Sequence, residues 1–294
     1  MILTALVPLL LMQVGPDPTA SDLPDLPIDP EGRARSQRAE EAIPQARPAV
    51  PPRLRECLQS VRADPAAAER EAMSWLGEAG GSDAALAGQC LGMAHYVRGE
   101  FAEAQTAFME ARDRVPESDP DMRARLGTLA GNAALVSNDY EGAVAALNAV
   151  VEDARTAEDT AAMGQAQIDR ARALVALNRS EEAAAALTEA REALPENADA
   201  WLFSATLSRR LNRLANAQEQ IERAAMLAPR SAAIGLEAGV IAATARRYDD
   251  AQRSFESVLL VAPDSSEASR ARAYLEQLGV PRADQPDTDE APTR

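Results

Sequence analysis

Apolar residues along much of the chain recur at the three- and four-residue spacing of amphipathic helices. Residues 53–62 carry such a face, and residues 266–278 carry another near the carboxyl end. The first face is formed by Leu54, Cys57, Leu58 and Val61, and the last by Ala268, Ala271, Leu275 and Leu278. Alanine, leucine and glutamate dominate and strand-forming residues are sparse, so the pattern predicts an all-α chain.

A second pattern relates one helix to another, because three columns of residues return every 34 positions. The proline column is Pro195, Pro229 and Pro263, the alanine column is Ala183, Ala217 and Ala251, and the large apolar column is Leu187, Ile221 and Phe255. A fixed period of this length is typical of stacked helical repeats. Alanine lets two helices approach closely, the large residue fills the space to the next unit, and proline ends a helix.

These columns resemble the tetratricopeptide repeat, a pair of antiparallel helices, and less regular copies precede the strict ones. The first of those copies matches the family pattern at Leu91, Gly92, Gly99, Phe101, Ala104, Phe108, Ala111 and Pro116. The resemblance implies a right-handed α-solenoid of antiparallel helix pairs. Its units are a degenerate pair at 53–84, five repeats at 85–118, 124–157, 164–197, 198–231 and 232–265, and a capping helix at 266–278.

The spacing of these units is uneven. The interval from Phe101 to Tyr140 is 39 residues and that from Tyr140 to Ser180 is 40, against 34 in the later units. The sequence leaves open whether longer loops or helices extended by one turn take up the difference. The irregular units also hold both cysteines and the single histidine, so we expect functional specificity to lie there.

The two ends of the chain differ from the repeats. Residues 2–12 form an apolar run with the length of a signal-peptide core, too short to span a bilayer, so residues 1–20 are predicted to be a signal peptide. Residues 21–52 are rich in proline, residues 279–294 are polar and acidic, and both are predicted to be disordered. A periplasmic location without a stable membrane span follows; a mis-assigned start or a short membrane tether, and a cytoplasmic location, are the alternatives.

Charge and composition argue against several classes of function. The net charge is −16 and all 30 basic residues are arginine, so we expect no nucleic-acid partner. Two cysteines and one histidine are too few for a four-ligand zinc site of the usual kind. The sequence contains no phosphate-binding glycine loop, zinc-protease motif or serine-hydrolase motif. We therefore predict no cofactor, no metal and no enzymatic activity, with His95 as a packing residue.

Cys57 and Cys90 fall one position apart in the repeat register, on the first helices of successive units. First helices of successive units are neighbours in a solenoid of this family, so the two sulfur atoms are placed to meet. One hypothesis is a disulfide that locks the degenerate N-terminal pair to the first good repeat, as suits an exported protein. The alternative, two buried thiols that pack as small apolar residues, stays open.

The resemblance implies a concave surface lined by the first helix of each pair, called the A helix here; the second is the B helix. In similar proteins an extended peptide or a partner helix lies on that surface. The positions carried over are Gln89, Met93, Tyr96, Arg125, Thr128, Asn132, Leu135, Ile168, Arg172, Val175, Asp199, Leu202, Thr206, Arg209, Leu236, Val240 and Ala243. Asn132 and Arg172 are the best polar candidates, because an amide pairs with peptide backbone and an arginine clamps a carboxylate.

The expected function is a non-enzymatic scaffold or assembly factor that binds a protein or peptide partner in the bacterial envelope. A cytosolic co-chaperone or regulatory adaptor and an accessory subunit of an enzyme complex are the alternatives. The clamp that binds chaperone C-termini in similar proteins needs lysine and asparagine, and this chain has other residues at those positions, which disfavours that activity. Self-association through an end of the array is a further alternative.

Overall fold

The computed structural model describes residues 50–279, and within them it contains thirteen α-helices and no β-strand. In chain order the helices are α1 (Pro52–Ala63), α2 (Pro65–Glu78), α3 (Gly81–Val97), α4 (Phe101–Arg114), α5 (Pro120–Val136), α6 (Tyr140–Thr156), α7 (Thr160–Ala176), α8 (Ser180–Ala193), α9 (Ala198–Arg210), α10 (Leu214–Leu227), α11 (Ala232–Thr244), α12 (Tyr248–Val261) and α13 (Ser266–Gln277). The predicted signal peptide, nearly all of the predicted linker and the tail beyond residue 279 lie outside the described residues. No helix of the described part is both long and apolar enough to cross a membrane.

Each helix packs on the helix before it and the helix after it, and several alternate helices also touch. The pairs α3–α4, α5–α6, α7–α8, α9–α10 and α11–α12 each consist of an A helix and a B helix joined by a short turn. α1 and α2 precede these pairs, and α13 packs on both helices of the last pair. The described residues therefore form an all-α solenoid of helical repeats, as the sequence pattern predicts.

Helices extended by one turn, rather than long loops, account for most of the uneven spacing. The helices α5, α6 and α7 each have 17 residues, whereas α9 to α12 have 13 or 14. The difference corresponds to about one helical turn of 3.6 residues. In the second repeat, α6 continues through Arg155, which stands where other repeats have their closing proline.

The chain reverses between each A helix and its B helix through one recurring backbone motif. One residue in each of these turns has a positive φ: Gly99, Asn138, Asn178, Asn212 and Arg246, with φ of 79°, 60°, 61°, 58° and 60°. The N–H of the next residue donates to a carbonyl five residues earlier, as from Glu100 to His95 and in the other four turns. This Schellman arrangement satisfies the last carbonyl groups of the A helix and sets the direction in which the B helix begins.

Glycine on an A helix and a large ring on the B helix set the closest approaches within a pair. Gly92 faces the buried ring of Phe108, and Gly239 faces the buried ring of Phe255. A Cβ atom added to either glycine would lie less than 3.0 Å from carbon atoms of the ring. Each ring therefore occupies the space that a side chain on the facing helix would need.

The N-terminal pair, α1 and α2, packs on α3 through a buried cluster that includes Leu54, Val61 and Trp75. The Trp75 Nε1–H donates to Asp83 Oδ2 at 3.0 Å, which gives this buried indole a hydrogen-bond partner. Cys57 of α1 and Cys90 of α3 are fully buried and joined as a disulfide, with their Cα atoms 6.2 Å apart. The two cysteines are thus neighbours across two helices, and their redox state in the cell stays a prediction.

A buried ion cluster joins the first and second repeats. The Asp153 carboxylate of α6 accepts from Arg112 Nη2 at 2.7 Å and from Arg123 Nε at 3.2 Å. Arg123 also donates through Nη1 to the backbone carbonyl of Val115 at 3.1 Å. Asp153 is only 8% exposed, so its charge depends on these partners for stabilisation in the interior. The three charged residues come from three different helices, and no local sequence pattern indicated that they meet.

Candidate functional site

The solenoid contains an apolar cavity of about 230 Å³ between the A helices α7 and α9. We call it the α7–α9 cleft and define it by its lining residues, Ile168, Ala171, Arg172, Val175, Leu187, Phe203, Thr206, Leu207 and Arg210. The B helix α8 contributes Leu187, which is buried beneath the two A helices. The cleft therefore opens between two A helices, which the family resemblance places on the concave surface.

Each wall of the cleft is one face of a helix. On α7 the lining residues begin at Ile168 and follow at i+3, i+4 and i+7, and on α9 they begin at Phe203 and follow at the same intervals. Residues at these spacings stand one above another along a helix. Val175 and Phe203 are half-buried, so the apolar surface of the cleft is in contact with solvent.

Two arginines border the cleft, one on each wall. Arg172 has a side chain that is 58% exposed, and its Nη1 lies 3.0 Å from Asp169 Oδ1, one turn earlier on α7. Asp169 is buried and also accepts from Gln165 Nε2 at 3.2 Å. The Arg210 side chain is exposed in the last turn of α9 and makes no hydrogen bond or ion pair with another residue of 50–279. The rim of the cleft is therefore polar and carries one exposed guanidinium group that has no partner within residues 50–279.

The next junction between A helices is closed by an ion pair. Arg209 of α9 donates to Glu237 of α11 from Nε to Oε1 at 2.6 Å and from Nη2 to Oε2 at 3.3 Å. Val175 and Phe203 stand 34 residues before Arg209 and Glu237 respectively. The same two repeat positions therefore hold an ion pair between α9 and α11 but two apolar side chains between α7 and α9. The apolar lining is therefore accessible between α7 and α9, whereas a charged pair spans the corresponding positions between α9 and α11.

The predicted groove residues have different surroundings. Those that line the α7–α9 cleft are Ile168, Arg172, Val175 and Thr206. Arg209 faces the next junction, where Glu237 already engages its guanidinium group. Four others are half-buried against apolar clusters of the interior, namely Met93, Tyr96, Leu202 and Val240. Arg125 and Asn132 are exposed on α5, outside the cleft.

Five lining residues were not among the predicted groove residues: Ala171, Leu187, Phe203, Leu207 and Arg210. The positions carried over to α9 are Asp199, Leu202, Thr206 and Arg209. Of these, Thr206 lines the cleft, and Leu202 and Arg209 each stand one residue before a lining residue. The i, i+4 spacing of Phe203 and Leu207 was a usable signal, because it marks an apolar face on a helix assigned to the concave surface. Leu187 is a packing residue in the repeat columns, and only its position beneath the cleft gives it a second role.

A family model for the tetratricopeptide repeat matches residues 91–158, 168–233 and 236–279, which together make up more than half of the chain. The chain belongs to the tetratricopeptide repeat family. A tetratricopeptide array implies a scaffold for contacts between proteins, so the A-helix surface is the place to look for a partner. No curated protein sequence matches the chain.

Solved structures with the tetratricopeptide fold resemble the chain at low sequence identity. The apo form of RapI has a TM-score of 0.67 and 14% identity, covering 84% of this chain and 75% of RapI. The pilF protein of Pseudomonas aeruginosa has a TM-score of 0.55 and 16% identity, covering 83% of this chain and 99% of its own. YrrB, described as a TPR protein with an unusual peptide-binding site, has a TM-score of 0.50 and 19% identity, covering 64% and 92%. Identities this low show a shared fold alone.

The single histidine of this tetratricopeptide chain lies far along the sequence from the cleft, in the last turn of α3. His95 Nδ1 is 2.7 Å from Glu100 Oε2, and Arg98 Nη2 lies 2.7 Å from Glu100 Oε1. The hydrogen bond with His95 is the largest cause of a lowered pKa for the Glu100 carboxyl, and the charge of Arg98 acts in the same direction. Among residues 50–279 no group of three or more side chains is arranged to hold a metal ion. His95 therefore has a structural partner in the turn.

Proposed function

We propose that this chain is a scaffold that holds a partner polypeptide by one apolar side chain inserted into the α7–α9 cleft. The observation that carries the proposal is an accessible apolar lining, bordered by Arg172, Thr206 and Arg210. The cavity of about 230 Å³ is smaller than the roughly 300–1,000 Å³ that is usual for small-molecule sites. It suits one large apolar side chain of a peptide better than a cofactor or a metabolite.

One inserted side chain would be an anchor and not the whole interface. Full burial of a leucine- or phenylalanine-sized side chain contributes roughly 1.5–3 kcal/mol, which alone gives weak binding. Further contacts would come from exposed side chains on neighbouring A helices, where Arg125 and Asn132 on α5 are available. A central apolar anchor with polar contacts around it is the common arrangement in protein interfaces.

We further propose that the scaffold acts in the bacterial envelope. The apolar run at residues 2–12 supports export of the chain. The close approach of Cys57 and Cys90 supports the same location, because structural disulfides persist in oxidising compartments. A cytosolic adaptor is the competing proposal, and the measurement described below for the two cysteines separates them.

Blocking the cleft tests the binding proposal. Peptides would be selected from a random display library on the purified full chain, and the affinity of the best binder measured by fluorescence anisotropy. Thr206→Phe places a ring at the mouth of the cleft, and we expect affinity to fall by about tenfold or more, a loss of roughly 1.4 kcal/mol. The control Thr106→Phe makes the same change on the exposed face of α4 and should leave affinity unchanged.

Two readouts guard the interpretation of this experiment. Circular dichroism and the urea midpoint of each variant show whether the array remains folded. Equal affinities for wild type, Thr206→Phe and Thr106→Phe, with all three folded, would place the binding surface elsewhere and refute the role of the cleft.

A further inference from the structure

We propose that the ligand of the α7–α9 cleft is an acidic peptide segment, in which the inserted apolar residue stands next to one or more carboxylates. This statement rests on the proposed function, because it names the ligand chemistry of the same cleft. Its basis is the pair of guanidinium groups, Arg172 on one wall and Arg210 on the other, that flank the apolar lining.

The charged groups around the cleft leave an excess of positive charge at its mouth. Asp169 offsets one arginine, since it is buried against Arg172. Arg209 and Glu237, at the next junction between A helices, neutralise each other. Arg210 has no partner among the residues that the structure describes. The cleft is therefore locally positive on a chain whose net charge is −16.

The two arginines also stand at a spacing that a peptide can bridge. Thr206 occupies on α9 the repeat position that Arg172 occupies on α7, and Arg210 follows four residues later. Four residues of a helix rise by about 6 Å along its axis. Arg172 and Arg210 therefore stand on opposite walls of the cleft and are offset along the helix axes by about that distance. An extended peptide advances about 3.3 Å per residue. It would pass both arginines within about two residues of its apolar anchor, so carboxylates at those positions can contact both.

Contact chemistry favours a carboxylate over a neutral or basic group at these positions. A guanidinium binds a carboxylate through charge-assisted hydrogen bonds that are shorter and stronger than neutral ones, often two at a time. Repulsion from the other acidic residues of the chain acts over longer distances and is largely screened beyond about 8 Å at physiological ionic strength. A basic peptide would bring its charges directly against Arg172 and Arg210. Direct contacts with the two arginines therefore favour a peptide that has carboxylates next to its inserted apolar residue.

Peptide selection on the full chain also tests this inference. Peptides recovered from the random library should be enriched in aspartate and glutamate beside an apolar residue, relative to the unselected library. A recovered acidic peptide should bind the Arg172→Glu/Arg210→Glu double variant about tenfold or more weakly, and its asparagine and glutamine counterpart should lose that sensitivity. The control Arg230→Glu/Arg246→Glu makes the same change in net charge at exposed positions outside the cleft and should bind as wild type does.

The results separate this inference from the proposal beneath it. Recovered peptides that are sensitive to Thr206→Phe but show no acidic enrichment, or that ignore the Arg172→Glu/Arg210→Glu change, would overturn the acidic ligand and leave the cleft as the binding site. Peptides insensitive to both Thr206→Phe and the double charge reversal, or the recovery of no peptide, would overturn both.

Discussion

At the scale of single residues, this array depends on where side chains are missing as much as on where they are large. Gly239 on α11 lies under the ring of Phe255, and there is no room for a methyl group between them. Gly77, near the end of α2, has no atom within 4 Å of the place where its Cβ would be. Both glycines are helical, so any difference in their replacement by alanine reports packing alone.

Replacement of these two glycines by alanine should have opposite effects. Alanine at Gly77 relieves the helix-propensity cost of glycine and should stabilise the chain by up to about 1 kcal/mol. Alanine at Gly239 forces Phe255 to move, and overpacking of this kind costs roughly 1–3 kcal/mol, so Gly239→Ala should lower the urea midpoint. If Gly239→Ala unfolds at the same urea concentration as Gly77→Ala, the close approach of α11 and α12 is not the reason for the glycine.

At the scale of elements, α1 is the helix whose attachment to the array depends most on one covalent link. It has 12 residues and buries only Leu54, Cys57 and Val61. The Cys57–Cys90 bond connects it to α3 across 33 residues of sequence. A short helix with so small a buried face is marginal without a link of this kind.

The state of the two cysteines is therefore a testable property of the N-terminal pair. In chain isolated from its host without reductant, intact mass after alkylation should show no free thiol and should lack the residues up to about position 20, as for an exported protein. Closing a loop of this length stabilises the folded state by about 3–4 kcal/mol in the chain-entropy account. The Cys57→Ala/Cys90→Ala variant should accordingly lose hydrogen-exchange protection in α1 and α2 before the rest of the array.

Two alkylated thiols on a chain that still begins at Met1 would contradict both the disulfide and export, and would favour the cytosolic adaptor. The control for the hydrogen-exchange measurement is the second half of the array. The amides of α9 to α12 should exchange at equal rates in the disulfide-bonded chain and in the Cys57→Ala/Cys90→Ala variant, because repeats couple chiefly to their neighbours.

At the scale of the whole described array, stability depends on covering the apolar end of the last repeat. α13 does this with Ala268, Ala271 and Leu275, which are buried, and with the ring of Tyr274, which stacks on Phe255 at 5.1 Å between centroids. Terminal units of solenoids commonly supply such a cover, because each repeat buries its core only against its neighbours. The exposed face of α13 is polar, so it ends the stack.

Removal of α13 should therefore unfold the last repeat or cause the chain to associate. We expect a chain truncated after residue 264 to show a lower thermal midpoint and a larger mass by light scattering than a chain truncated after residue 279. The second truncation retains α13 and is the matched control. A monomer of unchanged midpoint after the first truncation would show that α13 does not cover the stack.

Much of the architecture was predictable from the sequence, because each repeat imposes the same packing needs on the same positions. The columns that begin at Ala183, Leu187 and Pro195 recur at a fixed interval, and that interval predicts paired helices and the order in which they stack. The candidate site was only partly predictable. Arg172 and Thr206, which were both assigned to the A-helix surface, line the cleft, whereas Arg209, chosen by the same reasoning, forms an ion pair with Glu237.

The helices, their order and the residues of their shared core could be predicted without the structure, because they depend on the local periodicity of apolar residues. The tertiary structure was needed to show that added helical turns, rather than long loops, take up the uneven spacing. An added turn and a longer loop lengthen the interval between repeats by the same number of residues, so the spacing alone does not distinguish them. The tertiary structure also decided where the stack is open. Between α7 and α9, Val175 and Phe203 border an open cleft. Between α9 and α11, Arg209 and Glu237 stand at the same two repeat positions and form an ion pair. Each of these pairs of residues meets only because the two helices face each other in the stack.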